Sequence, residues 1–186
     1  MVVVTIMSLL TGVFLFQQRQ FDSTTLLRSL AYSVALSIRE AQTYGLSVRS
    51  FGGEFPAYGI YFNPGTYASE YFLFADTNEN GQYDPSTEFV DSYKFQGSYT
   101  ISNVCAIRGG TPECTSDNFF DWITIIFERP NPEACIATEG PDANVCGTVP
   151  PSGYSGAYIQ IEGSGGVTRS VTVTTSGQIS VGETGS

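Results

Sequence analysis

Residues 1–20 read MVVVTIMSLLTGVFLFQQRQ, and how this stretch is read decides the fold. No charged side chain occurs between Met1 and Gln18, and no basic residue stands ahead of the apolar run as a secretory signal requires. Residues 1–16 are apolar on every side of a helix, the mark of a segment surrounded by lipid or by protein. A spanning helix needs about 20 residues, so this one reaches across most of a bilayer. A signal-peptide core and a buried core helix are the alternatives, and neither accounts for the unbroken helical pattern that extends from it.

The run continues through QQRQFDSTTLLRSLAYSVALSIREAQTYG with no proline and no glycine before Gly45. Leu27, Leu30, Ala31, Val34, Ile38 and Ala41 recur at i, i+3, i+4, i+7 spacing, which places them within an arc of roughly 100°. Arg28, Ser29, Ser33, Arg39, Glu40 and Thr43 fall elsewhere, and Tyr32 and Leu36 lie opposite the stripe. The spacing predicts one helix of about 44 residues, roughly 66 Å long. It is greasy all round in its first half and amphipathic in its second, with Gly45 as a C′ stop.

Beyond residue 50 the period shifts from 3.6 to 2, and aromatic and β-branched runs alternate with Gly, Pro and Asn, which predicts strands. The candidates are Tyr58–Phe62, Tyr71–Ala75, Phe89–Phe95, Tyr99–Ala106, Trp122–Phe127, Tyr158–Glu162, Val167–Thr174 and Gln178–Val181. The last two flank TTSGQ, a turn in which Gly177 supplies positive φ. No second amphipathic helix is present, so no βαβ unit forms. The expected fold class is α+β: a long N-terminal helix, its apolar half protruding and its amphipathic half lying as a lid on an antiparallel sheet. Three regions result: 1–22, the apolar half-helix, transmembrane or surrounded by protein; 23–50, the amphipathic half-helix; and 51–186, the β domain. Segments 107–121 and 130–156 read as loops.

The composition narrows the function. Only 14% of residues are charged, well below the roughly 25% usual in soluble domains, as suits an extracellular surface. Net charge is −10, with eight basic residues scattered singly, so nucleic acid is not expected as the main partner. There is no histidine, which removes the commonest general base and metal ligand. The carboxylates single out no pair for glycoside hydrolysis, even with Trp122 and the tyrosines as a notional sugar platform. GSGG at 163–166 is preceded by no parallel strand and opens no helix, so it is a turn rather than a phosphate cradle. No enzyme activity is expected.

Cys105, Cys114, Cys135 and Cys146 all lie in the second half, among turn residues. Four cysteines allow three pairings; Cys105 with Cys114 and Cys135 with Cys146 closes the shortest loops and is favoured. Zinc ligands usually come as cysteine pairs two to four residues apart, which these are not. Disulfides imply an oxidising compartment.

The sharpest local motif is DTNENGQYDPSTE, residues 76–88. Asp76, Asn78 and Asn80 alternate as oxygen donors, Gly81 turns the chain, and the Gln82 carbonyl, Asp84 and Glu88 complete a set of hard oxygens. That pattern suits calcium as a cofactor, although the final Glu comes one position later than in an EF-hand loop and strands flank it. The other reading is a polar hairpin turn, which uses the same residue types. Both stay open.

The N-terminal stretch MVVVTIMSLLTGVFLFQQRQF resembles type IV pilins and type II secretion pseudopilins just past their processing point. SLAYSVALSIREAQTYGLSVR (29–49) looks like the helix end of the GspH/FimT-type branch. FLFADTNENGQYDPSTEFV is similar to that branch's strand, Asp-Asn-Gly loop and Glu, and RSVTVTTSGQISV to its closing hairpin. The resemblance implies a pilin-like fold and a structural subunit of an extracellular filament. Its partners are identical or homologous subunits, and before assembly the inner (cytoplasmic) membrane. The filament core is then Val2, Val3, Val4, Ile6, Met7, Leu9, Leu10, Val13, Phe14, Leu15 and Phe16, with Thr5, Ser8, Thr11 and Gly12 allowing close approach. Alternatives are a minor pseudopilin that sits at the tip or primes a secretion or DNA-uptake pilus, or a membrane-anchored binding module. DNA-binding relatives use basic residues near the C-terminus, where this chain has only Arg169.

Overall fold

The structure, a computed structural model, describes residues 2–139, 153–163 and 165–183, and the side chains of all of these except 14–23. Helix α1 (Val2–Leu46) is followed by strands β1 (Ala57–Phe62), β2 (Glu70–Asp76), β3 (Phe89–Lys94), β4 (Thr100–Arg108) and β5 (Thr111–Cys114). A short 3-10 turn at Thr115–Asp117 leads to β6 (Ile123–Phe127), β7 (Ala134–Thr138), β8 (Tyr154–Glu162), β9 (Thr168–Thr174) and β10 (Ile179–Glu183). All pairings are antiparallel and form two five-stranded sheets, β3-β2-β1-β6-β7 and β10-β9-β8-β4-β5.

This overturns the expected class, a pilin-like α+β fold dominated by a long half-apolar helix on one sheet. Among the described residues ten strands in two sheets make the fold mostly β. Among the described residues no helix is long and apolar enough to cross a membrane. The physical reason lies in the sequence: the apolar run gives way to Gln17, Gln18, Arg19, Gln20 and Asp22, short of the roughly 20 residues that a span requires.

One core joins α1 to both sheets. Leu27, Ala31, Val34, Ile38 and Ala41 are fully buried, as their spacing predicts, while Tyr32 and Leu36 are exposed. They pack with Ile60, Phe62, Leu73, Ile123 and Ile125 of the first sheet and with Val104, Ile159, Ile161, Val171 and Val173 of the second. Each large side chain so buried contributes on the order of 1.5–3 kcal/mol relative to exposure. Polar clamps fix the helix in place: Glu40 accepts from Tyr44 Oη at 2.5 Å and Tyr93 Oη at 2.7 Å. Gln42 Nε2 donates to the carbonyls of Pro132 and Gly177, each at 3.1 Å.

Gly45 does not stop the helix, which runs on through it to Leu46. Its role is steric, because a Cβ there would stand 2.2 Å from the carbonyl oxygen of Phe127. Glycine lets α1 touch the backbone of β6. Gly177 does adopt positive φ (82°) in the β9–β10 turn, as expected.

Two strands arise where loops were expected. β5 returns along β4 through Gly109 and Gly110, both at positive φ (57° and 86°), the requirement of a two-residue I′ hairpin turn. β7, Ala-Cys-Ile-Ala-Thr, pairs with β6 at the sheet edge. Cys105 and Cys114 face each other across β4 and β5 and are disulfide-bonded, the pairing expected. Cys135 is also in a disulfide, and Cys146 lies outside the described residues. Because Cys105 and Cys114 stand nine positions apart, replacing both with serine is expected to cost about 2–3 kcal/mol through the lost loop constraint. Urea unfolding of the double variant checks this.

Candidate functional site

Two places concentrate chemistry outside the core: the start of α1 and the loop between β2 and β3. On α1, Val2, Val3, Val4, Ile6, Met7, Leu9, Leu10 and Val13 are all between 52% and 71% exposed. The remaining expected core positions, Phe14, Leu15 and Phe16, have side chains outside the described set. Thr5, Ser8 and Gly12, with Leu9 and Val13, line a shallow apolar groove. The Thr11 hydroxyl donates to the Met7 carbonyl at 2.8 Å, so this polar side chain is satisfied within the helix. The large apolar side chains of this segment form a continuous exposed surface among the described residues.

The β2–β3 loop spends its oxygens on its own backbone. Asp76, buried at the end of β2, accepts from Asn80 N–H at 3.1 Å and Gly81 N–H at 2.9 Å. Asn78 accepts from Asn80, Asn80 from Gln82, and Asp84 from the Ser86 amide and hydroxyl. Fully buried Glu88 accepts from the Thr77 amide and hydroxyl and from the Asp84 amide at 3.0 Å. The base closes like a strand pair, with Ala75 N–H donating to the Glu88 carbonyl. Glu79 and Gly81 take positive φ.

The six residues expected to ligate calcium thus share one loop, but Asn78, Asn80 and Asp84 close Asx-type turns while Asp76 and Glu88 hold amides elsewhere in it. Among the described residues no three His, Cys, Asp or Glu side chains group closely enough to hold a metal ion. Burial pushes the Asp76 carboxyl up to about 6; the Gly81 amide pulls it down and the nearby Glu88 pushes it up further.

The loop also supports an aromatic layer on the first sheet. Thr124 Oγ1 donates to the Gly81 carbonyl at 2.7 Å, tying the loop to β6. Tyr83 then lies on the outer face of the first sheet, its ring 5.4 Å from Phe72 in a stacked pair and 5.2 Å from Tyr61. Trp122 stands 5.9 Å from Tyr61, and Tyr67 meets Phe72 edge-on at 4.9 Å. Gly59 makes room beneath, since a Cβ there would stand 2.8 Å from the Phe74 ring. The signal for this layer was in the strand alternation: Tyr61, Phe72 and Thr124 sit opposite one another in register, on the face away from α1.

The Tyr158 hydroxyl lies 3.6 Å from Cys114 Sγ. No family model matches the chain, and neither does any curated protein or solved structure.

Proposed function

We propose that this chain is a structural subunit of an extracellular filament of the type IV pilus class, polymerising through the first turns of α1, with no catalytic role. The observation that carries the reading is the exposure of every large apolar side chain from Val2 to Val13. In water each of the larger ones forgoes on the order of 1.5–3 kcal/mol of burial. The same segment of another copy supplies matching cover, and the groove at Thr5, Ser8 and Gly12 lets two such helices approach closely. A head-to-tail contact of this kind propagates into an open filament instead of closing into a ring.

Before assembly the segment rests in lipid of the inner membrane. Val2–Val13 covers about 18 Å at 1.5 Å per residue, little more than half of a hydrocarbon core of about 30 Å. It dips into the bilayer. The Cys105–Cys114 bond supports a destination outside the cytoplasm.

The test is to remove detergent from the purified full chain. Long filaments are expected by electron microscopy, whereas Leu9→Asp combined with Val13→Asp stays monomeric with an unchanged Tm, because neither side chain touches the core. A wild-type chain that stays monodisperse without detergent sinks the reading. In cells, a tagged copy found only at filament ends assigns the minor, priming role in place of the major one.

A further inference from the structure

We infer that the aromatic outer face of the first sheet is a docking surface for the arginine-bearing outer stripe of α1 on a second copy of this chain. The inference rests on the filament reading and adds to it a second, lateral contact with its own residues.

The accepting face presents the rings of Tyr61, Phe72, Tyr83 and Trp122 in mutual contact, with Tyr67 at its margin. Tyr67 is 36% exposed, and Tyr61, Phe72, Tyr83 and Trp122 are half-buried, so ring area remains open to a partner. Its surroundings are acidic: Asp121 and Glu139 stand near enough to act on the Tyr61 hydroxyl, and Asp84 and Glu70 on that of Tyr83. Aromatic faces carry negative potential at their centres. Rings rimmed by carboxylates therefore favour a cation, and guanidinium adds stacking to charge.

The donating stripe is Arg28, Tyr32, Leu36 and Arg39, at i, i+4, i+8 and i+11, one side of a helix. All four are exposed. Leu36 is 63% exposed, and the Arg28 guanidinium lies 5.9 Å over the Tyr32 ring. Arg39 has no carboxylate partner among the described residues. By contrast Lys94, Arg108 and Arg169 are held by Glu70, Glu113 and Glu183, and Arg28 stands near enough to the exposed Glu183 of its own chain to act on its carboxylate, which leaves Arg39 as the uncommitted cation of the stripe. Two cations flanking an apolar pair match a ring surface flanked by acids, in the manner of interfaces rich in Tyr, Trp and Arg.

The two surfaces cannot meet within one copy. Helix α1 packs on the face of the first sheet that carries Ile60, Phe62 and Leu73, and the rings point away from it on the other. The contact is therefore heterologous and propagates in the same sense as the filament.

Trp122 is the only tryptophan, so it reports on this face alone. The experiment uses the full chain in detergent, which keeps the start of α1 covered and prevents filaments. At low salt, acrylamide quenching of Trp122 is expected to fall about twofold as protein concentration rises, and to recover at 0.5 M NaCl. Arg28→Glu with Arg39→Glu should abolish this protection, and adding Asp121→Arg with Glu139→Arg should restore it. Tyr67→Ala, which leaves net charge unchanged, should weaken it. Quenching that is independent of concentration, or protection that survives the arginine reversal, overturns the contact. If filaments then still form without detergent, the proposed function stands and only this surface is lost.

Discussion

Replacing Gly45 with alanine should lower stability by about 2 kcal/mol, although alanine is the better helix former by about 1 kcal/mol. The added Cβ meets the Phe127 carbonyl oxygen at 2.2 Å and its carbon at 2.8 Å. These are backbone atoms of β6, a fully buried strand between β1 and β7, so no side chain can rotate away. Either the helix lifts or the strand shifts, and overpacking of this kind costs typically about 1–3 kcal/mol. Valine or leucine at the same place should exceed that range and prevent folding at 37 °C. The comparison is Gly12→Ala, where a Cβ meets nothing within 4 Å; that variant should be neutral or stabilised by up to about 1 kcal/mol. Denaturant unfolding of both, with an expected Tm loss of roughly 6 °C for Gly45→Ala, checks the pair. Equal effects at the two glycines would mean that α1 does not touch β6.

The same glycine marks where local reading of the chain stops. A Gly after an amphipathic run predicts a helix end, because the residues on either side carry no trace of a strand arriving from position 127. The buried stripe from Leu27 to Ala41 was legible, since helical periodicity is local, and so were eight strands from their aromatic and β-branched runs. What could not be read was the division into two sheets. It depends on β1 finding β6 and β4 finding β8, partners far apart in the chain, while each strand alone looks the same in one sheet or two. β5 was within reach: Gly109-Gly110 between Ile107 and Thr111 is a hairpin signature that the loop reading of 107–121 passes over. β7 was not, because two alanines and a cysteine in five residues carry little strand preference until β6 lies alongside. In the acidic loop, alternating Asp and Asn oxygens serve an Asx-turn series and an ion equally well, and only the side to which Glu88 turns separates the two.

Glu88 is therefore the residue on which the loop depends, and Glu88→Ala should lose about 3–4 kcal/mol. Its carboxylate satisfies the amides of Thr77 and Asp84 and the Thr77 hydroxyl, and truncation leaves these donors facing a buried gap, at about 1–3 kcal/mol for each one left without water. Tyr83 and its ring contacts should loosen together with the loop. Asp76 gives the pH dependence its sign. Its folded pKa, raised to about 6 chiefly by burial, lies above the ordinary unfolded value of about 3.9, so the folded state binds the proton more tightly. The stability this group contributes is then full below about pH 4, falls as pH rises through 6, and is lost beyond. Tm should rise by a few degrees between pH 7 and pH 5, and Asp76→Asn should flatten that rise. The other charged side chains around the cavity at Asp76 are Glu79, Glu128 and Arg129. A calcium ion held by Asp76, Asn78, Asn80, Gln82, Asp84 and Glu88 would need ionised carboxylates and would stabilise the loop most at neutral pH. The calcium proposal accordingly requires that adding calcium at pH 7 raise Tm and reverse the slope, and a Tm indifferent to calcium and to chelator removes it. A wild-type Tm that falls between pH 7 and pH 5 without calcium would instead show that Asp76 is stabilised as the anion by its two amides, and that burial is the weaker influence on it.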